Sequence, residues 1–264
     1  MRIAAWEDLQ TSRGLGAPFA AAIGVFDGVH KGHMRLIREV LGRKDMTRGV
    51  VTFRDNPKKI LRPNSFHGNI FTLEQKLAAF ADLGLDICVL IDFSGDFSKL
   101  AGKDFLTLLR DRVDLGFLAV GEGFRCGHRL DMDAEGIRGF FREAEVETRI
   151  IEPLCVGGRP VSSSRIRNAI REGRLDEANS MLGRAYEIDL RGARVLRLPT
   201  AVMVRPPSGQ VEPPAGLYRG ECSGESWREL VSARFAAGEW AIPADGGAAR
   251  QPEALRLMEL VSRE

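Results

Sequence analysis

The chain has 264 residues, 44% hydrophobic and 28% charged, and its 38 basic and 36 acidic side chains leave a net charge of +2. That is ordinary globular usage, which excludes wholesale disorder, collagen-like repeats and a disulfide-stapled mini-protein. So even a balance supplies no general drive toward nucleic acid or an anionic membrane, no apolar run reaches the roughly 18 residues that span a bilayer, and MRIAAWEDLQ lacks a signal-peptide core. The expectation is a cytoplasmic protein with no nucleic-acid or membrane partner; oligomeric state is left open.

Short apolar runs alternate with helical spacing through the first two-thirds of the chain. Ala20–Phe26 reads as a strand ending in a turn rich in Gly and His. A helix over Met34–Leu41 and a strand over Gly49–Phe53 follow. The next helix is predicted over Leu73–Leu83, with Thr72 as N-cap and Gln75 completing a capping box. Strands are predicted over Ile87–Phe93, Gly116–Val120 and Val146–Ile151, separated by helices over Lys103–Arg112 and Ala134–Glu143. This order predicts an α/β fold, a doubly wound and mostly parallel sheet with helices on both faces. Ligands of such sheets bind beyond the carboxyl ends of the strands. Two more helices are predicted over Ser163–Arg171 and Leu175–Leu182, with Gly183 suited to the left-handed residue after the second. Beyond Tyr186, Pro199, Pro206, Pro207, Pro213 and Pro214 cut the chain into short pieces. Leu196–Val204 and Gly216–Cys222 read as strands. Pro252–Val261 reads as a helix opened by Pro and Glu. The predicted boundary separates a domain over 1–184 from a smaller β-rich domain over 185–264.

Cys88, Cys126, Cys155 and Cys222 form no CxxC pair, which removes zinc-ribbon and thioredoxin readings. Cys88 reads as a core residue. Asp92, Asp96, Asp131 and Asp133 read as solvated loop charges, and His67 and His128 as loop residues; no protein metal site is expected. No GxxxxGK[ST] occurs, and Gly121, Gly123 and Gly127 miss the GxGxxG spacing by one.

The strongest segment is Gly24-Val25-Phe26-Asp27-Gly28-Val29-His30-Lys31-Gly32-His33. A strand runs into a turn with glycines and two of the chain's four histidines, then into a helix. Glycines let backbone approach a ligand closely, and a helix N-terminus offers unsatisfied N–H groups to an anion. His30 and His33 can donate to phosphate oxygens from there. The second segment is Val161 to Arg167. Ser163 and Ser164 open a helix, and Arg165 and Arg167 lie in its first turn, where cations oppose the helix dipole. A bound anion at that end resolves the conflict, and Arg can hold phosphate bidentately. A solvated basic helix start is the plainer reading, with Ser162 or Ser163 only capping the helix.

The first segment resembles the HxGH motif of the nucleotidyltransferase superfamily, in the form found in bacterial FAD synthetases. Val51-Thr52-Phe53 with Asn56-Pro57, Leu73 to Gly84, Val120 to Gly127, Val161 to Arg167 and Ala178 to Tyr186 follow in that family's order. The resemblance covers roughly residues 15–186. It implies adenylyl transfer from ATP to FMN, with FAD and pyrophosphate as products and Mg²⁺ accompanying ATP. His30, His33, Ser164 and Arg167 would be catalytic. Gly24, Phe26, Asp27, Gly28, Gly32, Ser163 and Arg165 would bind nucleotide, and Asn56, Gly123 and Phe124 flavin. Three positions depart from the family pattern: Asn56 replaces a His, Gly123 an Asp or Asn, and Cys126 a Phe. These leave open a different phosphorylated acceptor, or binding of flavin or nucleotide without turnover. In the tail, Leu198-Pro199-Thr200-Ala201 and Gly216-Leu217-Tyr218 resemble signatures of a riboflavin kinase barrel. The Gly-rich stretch before the first is reduced to Arg191–Arg197, and the strand carrying the kinase glutamate has no counterpart. The tail is expected to be a truncated, degenerate module without kinase activity.

Overall fold

The structure is a computed structural model that describes residues 1–10, 18–93, 97–207, 209–244 and 251–263. Asp96 and the first residues of the resemblance, 15–17, lie outside these. The chain divides into two compact units, Met1–Phe66 with Lys76–Pro160, and His67–Gln75 with Val161–Glu264.

The strands of the first unit are β1 (Arg2–Ala5), β2 (Phe19–Ile23), β3 (Thr47–Phe53), β4 (Ile87–Ile91), β5 (Leu115–Gly121), the short pair β6 (Arg125–Cys126) and β7 (Met132–Asp133), β8 (Glu147–Ile151), and a small hairpin of β9 (Cys155–Val156) and β10 (Arg159–Pro160). The first helices are α1 (Lys31–Leu41), α2 (Pro57–Leu61), α3 (Leu73–Asp82), α4 (Gly102–Arg112) and α5 (Ala134–Arg142). One six-stranded sheet runs in the order β1-β4-β3-β2-β5-β8, and every pairing in it is parallel. This is the doubly wound α/β sheet that the β-α order predicts.

The centre of the sheet explains its two-sided packing. β2 reads FAAAI and is buried throughout. Successive side chains of a strand point to opposite faces. Phe19, Ala21 and Ile23 join one core with Phe105, Leu106 and Leu109 of α4 and Ile137 and Phe141 of α5. Ala20 and Ala22 face the other side, and α1 packs on β2, β3 and β5. Because β2 lies between β3 and β5, the winding direction reverses at the β2/β5 pair. In open parallel sheets that reversal opens a crevice at the carboxyl ends of the strands.

The second unit adds α6 (Ser163–Arg171), α7 (Leu175–Leu182) and seven strands: β11 (Tyr186–Asp189), β12 (Arg194–Arg197), β13 (Ala201–Arg205), β14 (Gly216–Gly224), β15 (Trp227–Ala236), β16 (Glu239–Pro243) and β17 (Ala254–Arg263). They form one sheet in the order β11-β17-β14-β15-β16-β13-β12, antiparallel at every pair. Tyr218, Phe235 and Trp240 are buried in it. Their rings meet at centroid distances of 5.4 Å (Tyr218–Trp240) and 4.7 Å (Phe235–Trp240).

Two readings are corrected here. Pro252–Val261 is not a helix: Ala254–Arg263 is β17, pairing with β11 and β14. Leu255 and Leu257 alternate into the core while Met258 is exposed, so a period of two wins over local helix signals. Leu196–Val204 is not one strand but β12 and β13, which fold back antiparallel on either side of Pro199. β15 and β16 are strands that the sequence analysis does not name.

The compact units also divide the chain elsewhere than at 184/185, and specific bonds say why. Segment 67–75 bonds to the C-terminal strands: Thr72 Oγ1 donates to Asp189 Oδ2 (2.8 Å), and Gln75 Nε2 donates to Glu187 O (3.2 Å). α7 packs on β17 and β11, and Asn179 ties all three, donating to Leu257 O at 3.1 Å and accepting from Tyr186 N at 2.8 Å. Among the described residues no helix is long and apolar enough to cross a membrane.

Candidate active site

The loop after β2 is shaped by backbone that ordinary residues avoid. Gly28 has φ +81°, and Phe26 (φ 51°) and Val29 (φ 36°) also lie at positive φ. For a β-branched residue such as Val29 this is an outlier, of the kind that collects at ligand-binding turns. The Phe26 ring holds the bend from inside. It stands edge-on to Phe80 at 5.7 Å and to His33 at 5.1 Å. A Cβ at Gly24 would lie 3.2 Å from it.

His30 ends the loop as the N-cap of α1, its Nδ1 accepting from His33 N at 3.3 Å. The two imidazoles stack, with centroids 3.5 Å apart and planes 14° from parallel. Gly32 lies in the same first turn, between them in sequence. This brings His30 and His33 together at a helix N-terminus, at the carboxyl end of the central strand. The helix dipole and its unsatisfied N–H groups favour an anion there.

Asp27 and Asn56 are both buried, and Asn56 Nδ2 lies 3.5 Å from Asp27 Oδ2. The Asn56 Oδ1 caps α2, accepting from Lys58 N at 3.1 Å. One side chain thus joins the loops after β2 and β3. Thr52, also buried, donates to Val25 O at 3.1 Å and braces the same bend.

Lys76 is the residue that sequence reasoning missed. It is 7% exposed and donates to Phe53 O, the last carbonyl of β3, at 2.6 Å. Burial pushes its pKa below the usual lysine range, while the carboxylates of Asp27 and Asp55 pull the other way. Burial in turn pushes the Cys88 thiol up to about 12, so this cysteine is an uncharged core residue. The available signal was spacing: Lys76 lies four residues before the buried Phe80, on the same face of α3.

The loop after β5 is a tight turn in which Phe124 N donates to Gly121 O at 2.9 Å. Phe124 is partly buried against the core shared by α4 and α5. Gly123 has ordinary φ and nothing within 4 Å of where a Cβ would stand.

In the second unit, Ser162 caps α6 by accepting from Arg165 N at 3.2 Å. Ser163 and Ser164 therefore occupy the first turn rather than the cap. Arg165 pairs with Glu177 of α7, Nη2 to Oε1 at 2.8 Å; that carboxylate meets the charge assigned above to a phosphate. Arg167 is 7% exposed and donates from Nε to Gly68 O at 2.9 Å.

The acidic loop residues have structural partners. Asp92 pairs with Arg54 at 2.7 Å. Asp131 accepts from Gly102 N at 3.0 Å and Asp133 caps α5. His128 Nδ1 lies 3.2 Å from Ser98 O. Among the described residues no three His, Cys, Asp or Glu side chains converge as metal ligands would.

Comparison with known proteins gives the family. The FAD synthetase family model matches residues 16–165, more than half of the chain. The chain is 30% identical over 212 residues to the bifunctional riboflavin kinase/FMN adenylyltransferase of Escherichia coli K12, covering 76% of this chain and 67% of that protein. It is 29% identical over 231 residues to the protein of the same description from Bacillus subtilis, covering 80% and 70%. Among solved structures the fold is similar to one described as a macrolide-efflux protein from Streptococcus pneumoniae, with TM-score 0.86 and 21% identity, covering 100% of this chain and 92% of that one. That last likeness concerns fold alone. The HxGH loop at the switch point, the order of the later motifs and the extent of the family match lead to one assignment: this chain belongs to the FAD synthetase family.

Proposed function

We propose that this chain transfers the adenylyl group of ATP to FMN, giving FAD and pyrophosphate in the cytoplasm. The observation that carries the reading is the stacked pair His30 and His33 at the N-terminus of α1, where the sheet changes direction. An FMN phosphate oxygen attacks the α-phosphorus of ATP in line, and the bond to pyrophosphate breaks. Such a reaction asks the protein for position and charge stabilisation rather than covalent chemistry. His30 and His33 hold the ATP phosphates. Ser164 and Arg167 neutralise the leaving pyrophosphate. Gly24, Phe26, Asp27, Gly28 and Gly32 shape the nucleotide pocket, with Ser163 and Arg165 at the second helix start; Asn56, Gly123 and Phe124 face the flavin. Mg²⁺ would accompany ATP, and phosphate oxygens and water would hold it, as is usual for this ion. The test is incubation with Mg-ATP and a panel of phosphorylated acceptors including FMN, following FAD and pyrophosphate. Pyrophosphate release that does not depend on FMN, with no FAD formed, sinks the reading.

A second reading, transfer to another phosphorylated acceptor or binding without turnover, draws on Gly123, which offers a ligand only backbone. Gly123→Asn is expected to fold, given the open space around it, and to raise kcat/KM for FMN with little change in ATP affinity. A restored hydrogen bond contributes about 0.5–1.5 kcal/mol, roughly a two- to thirteenfold gain. A folded variant with equal or poorer FMN use favours the other acceptor.

All the residues given roles lie within 1–184, and 185–264 is read as a degenerate kinase-like module. Riboflavin with Mg-ATP is therefore expected to give no FMN. Stoichiometric FMN formation by the wild-type chain would falsify that part.

A further inference from the structure

The C-terminal sheet carries none of the residues given roles in adenylyl transfer, yet the segment seating one of them is built on it. Arg167 donates from Nε to the carbonyl of Gly68 at 2.9 Å. Gly68 is held through the backbone of its neighbour Asn69. Asn69 and Gln210 form a parallel bridge. Its bonds are Asn69 N to Gly209 O at 2.6 Å and Val211 N to Asn69 O at 2.9 Å.

The Gln210 side chain closes the arrangement. Its Nε2 reaches Ile70 O at 3.1 Å, Glu187 O at 3.0 Å and Gln75 Oε1 at 3.0 Å. Its Oε1 accepts from Asp189 N at 2.8 Å. Gly68 itself has φ +97°, and a Cβ there would stand 2.6 Å from the carbonyl of Gln210. Backbone lies against backbone, in a conformation and a space that only glycine tolerates. Asp189 anchors the far side of the clamp. Burial pushes its carboxyl up, but hydrogen bonds from Arg191 and Thr72 outweigh burial and hold it below the usual carboxylate range.

We propose that Gln210 is a positioning residue for Arg167: it locks residues 68–70 so that the Gly68 carbonyl fixes the plane of the Arg167 guanidinium. The proposal rests on the adenylyl-transfer reading and deepens it. A guanidinium presents its donors in a rigid fork, so fixing Nε sets the plane of the remaining donors. Arg165, two residues earlier, is instead committed to Glu177. The C-terminal sheet then supports transfer by holding residues 68–70 in place, chiefly through Gln210 and the Asn69 bridge.

The test uses the full chain with Mg-ATP and FMN. Gln210→Met keeps length and removes every polar contact of the side chain. Its kcat is expected to fall at least about tenfold with KM for FMN unchanged, since a misplacement of about 1 Å costs on the order of 10²-fold. The deciding measurement is a cycle with Arg167→Ala. In that background Gln210→Met is expected to change kcat less than about twofold, because the group it positions is gone. The same fold-loss in both backgrounds, or wild-type kcat in Gln210→Met, overturns the proposal. Where Gln210→Met does not fold, Gln210→Glu, which keeps the acceptor for Asp189 N, is put through the same cycle. No FAD from the wild-type chain, or wild-type kcat in Arg167→Ala, sinks instead the role given to Arg167.

Discussion

His30→Asn and His33→Ala are each expected to lower FAD formation by about 10²–10³-fold, the cost of removing one preorganised donor. The choice at position 30 matters. His30 caps α1 through Nδ1, and loss of a cap costs about 0.5–2 kcal/mol of stability. Asn keeps a capping oxygen, so its loss of rate is read without a loss of fold. His33 lies against Phe26 and His30, and Ala there removes both ring contacts. Its melting temperature therefore has to be measured beside its kcat. With both variants folded, turnover equal to wild type in each would remove the proposed phosphate site.

A chain ending at Arg184 is expected to give no FAD, although it keeps every residue proposed to touch ATP or FMN. Leu175, Ala178, Met181 and Leu182 are buried, and α7 packs on β17 and β11. Each larger apolar side chain returned to water costs about 1.5–3 kcal/mol, set against total stabilities of about 5–15 kcal/mol. The same cut removes Leu257 O and Tyr186 N from Asn179, and Gln210 from residues 68–70. Circular dichroism, size-exclusion chromatography and FAD formation check it together. A folded, monodisperse and active 1–184 would show that the C-terminal sheet is dispensable for the Arg167 seat.

Local signals were legible where local chemistry decides. Thr72 and Gln75 form the predicted capping box, Gln75 N to Thr72 Oγ1 at 3.2 Å and Thr72 N to Gln75 Oε1 at 3.0 Å. Gly183 takes the left-handed conformation after α7. The alternation of strands and helices was enough for the parallel sheet, because its inner strands β2, β4 and β5 read as near-continuous apolar runs, as strands covered on both faces do. What was lost needed distant partners. Ala254–Arg263 holds both a helical and an alternating pattern, and only pairing with β11 and β14 selects the second. Arg165 looks like a phosphate ligand until Glu177 arrives from the next helix. Lys76 lies on the buried face of α3 by spacing, but its partner, the last carbonyl of β3, comes from a distant strand.

The seat of Arg167 also sets an order of events in synthesis. Ile70 waits for a partner 140 residues later, Thr72 for one 117 residues later, and Asn179 for one 78 residues later. The helix that carries Arg167 thus leaves the ribosome before the strand that stabilises its neighbour exists. Closing such long loops is slow, because chain entropy is lost before the contacts repay it. A nascent or prematurely terminated chain would display the nucleotide loop and both histidines, yet hold its arginine loosely. Competence for the proposed transfer would come only once β17 has joined the sheet.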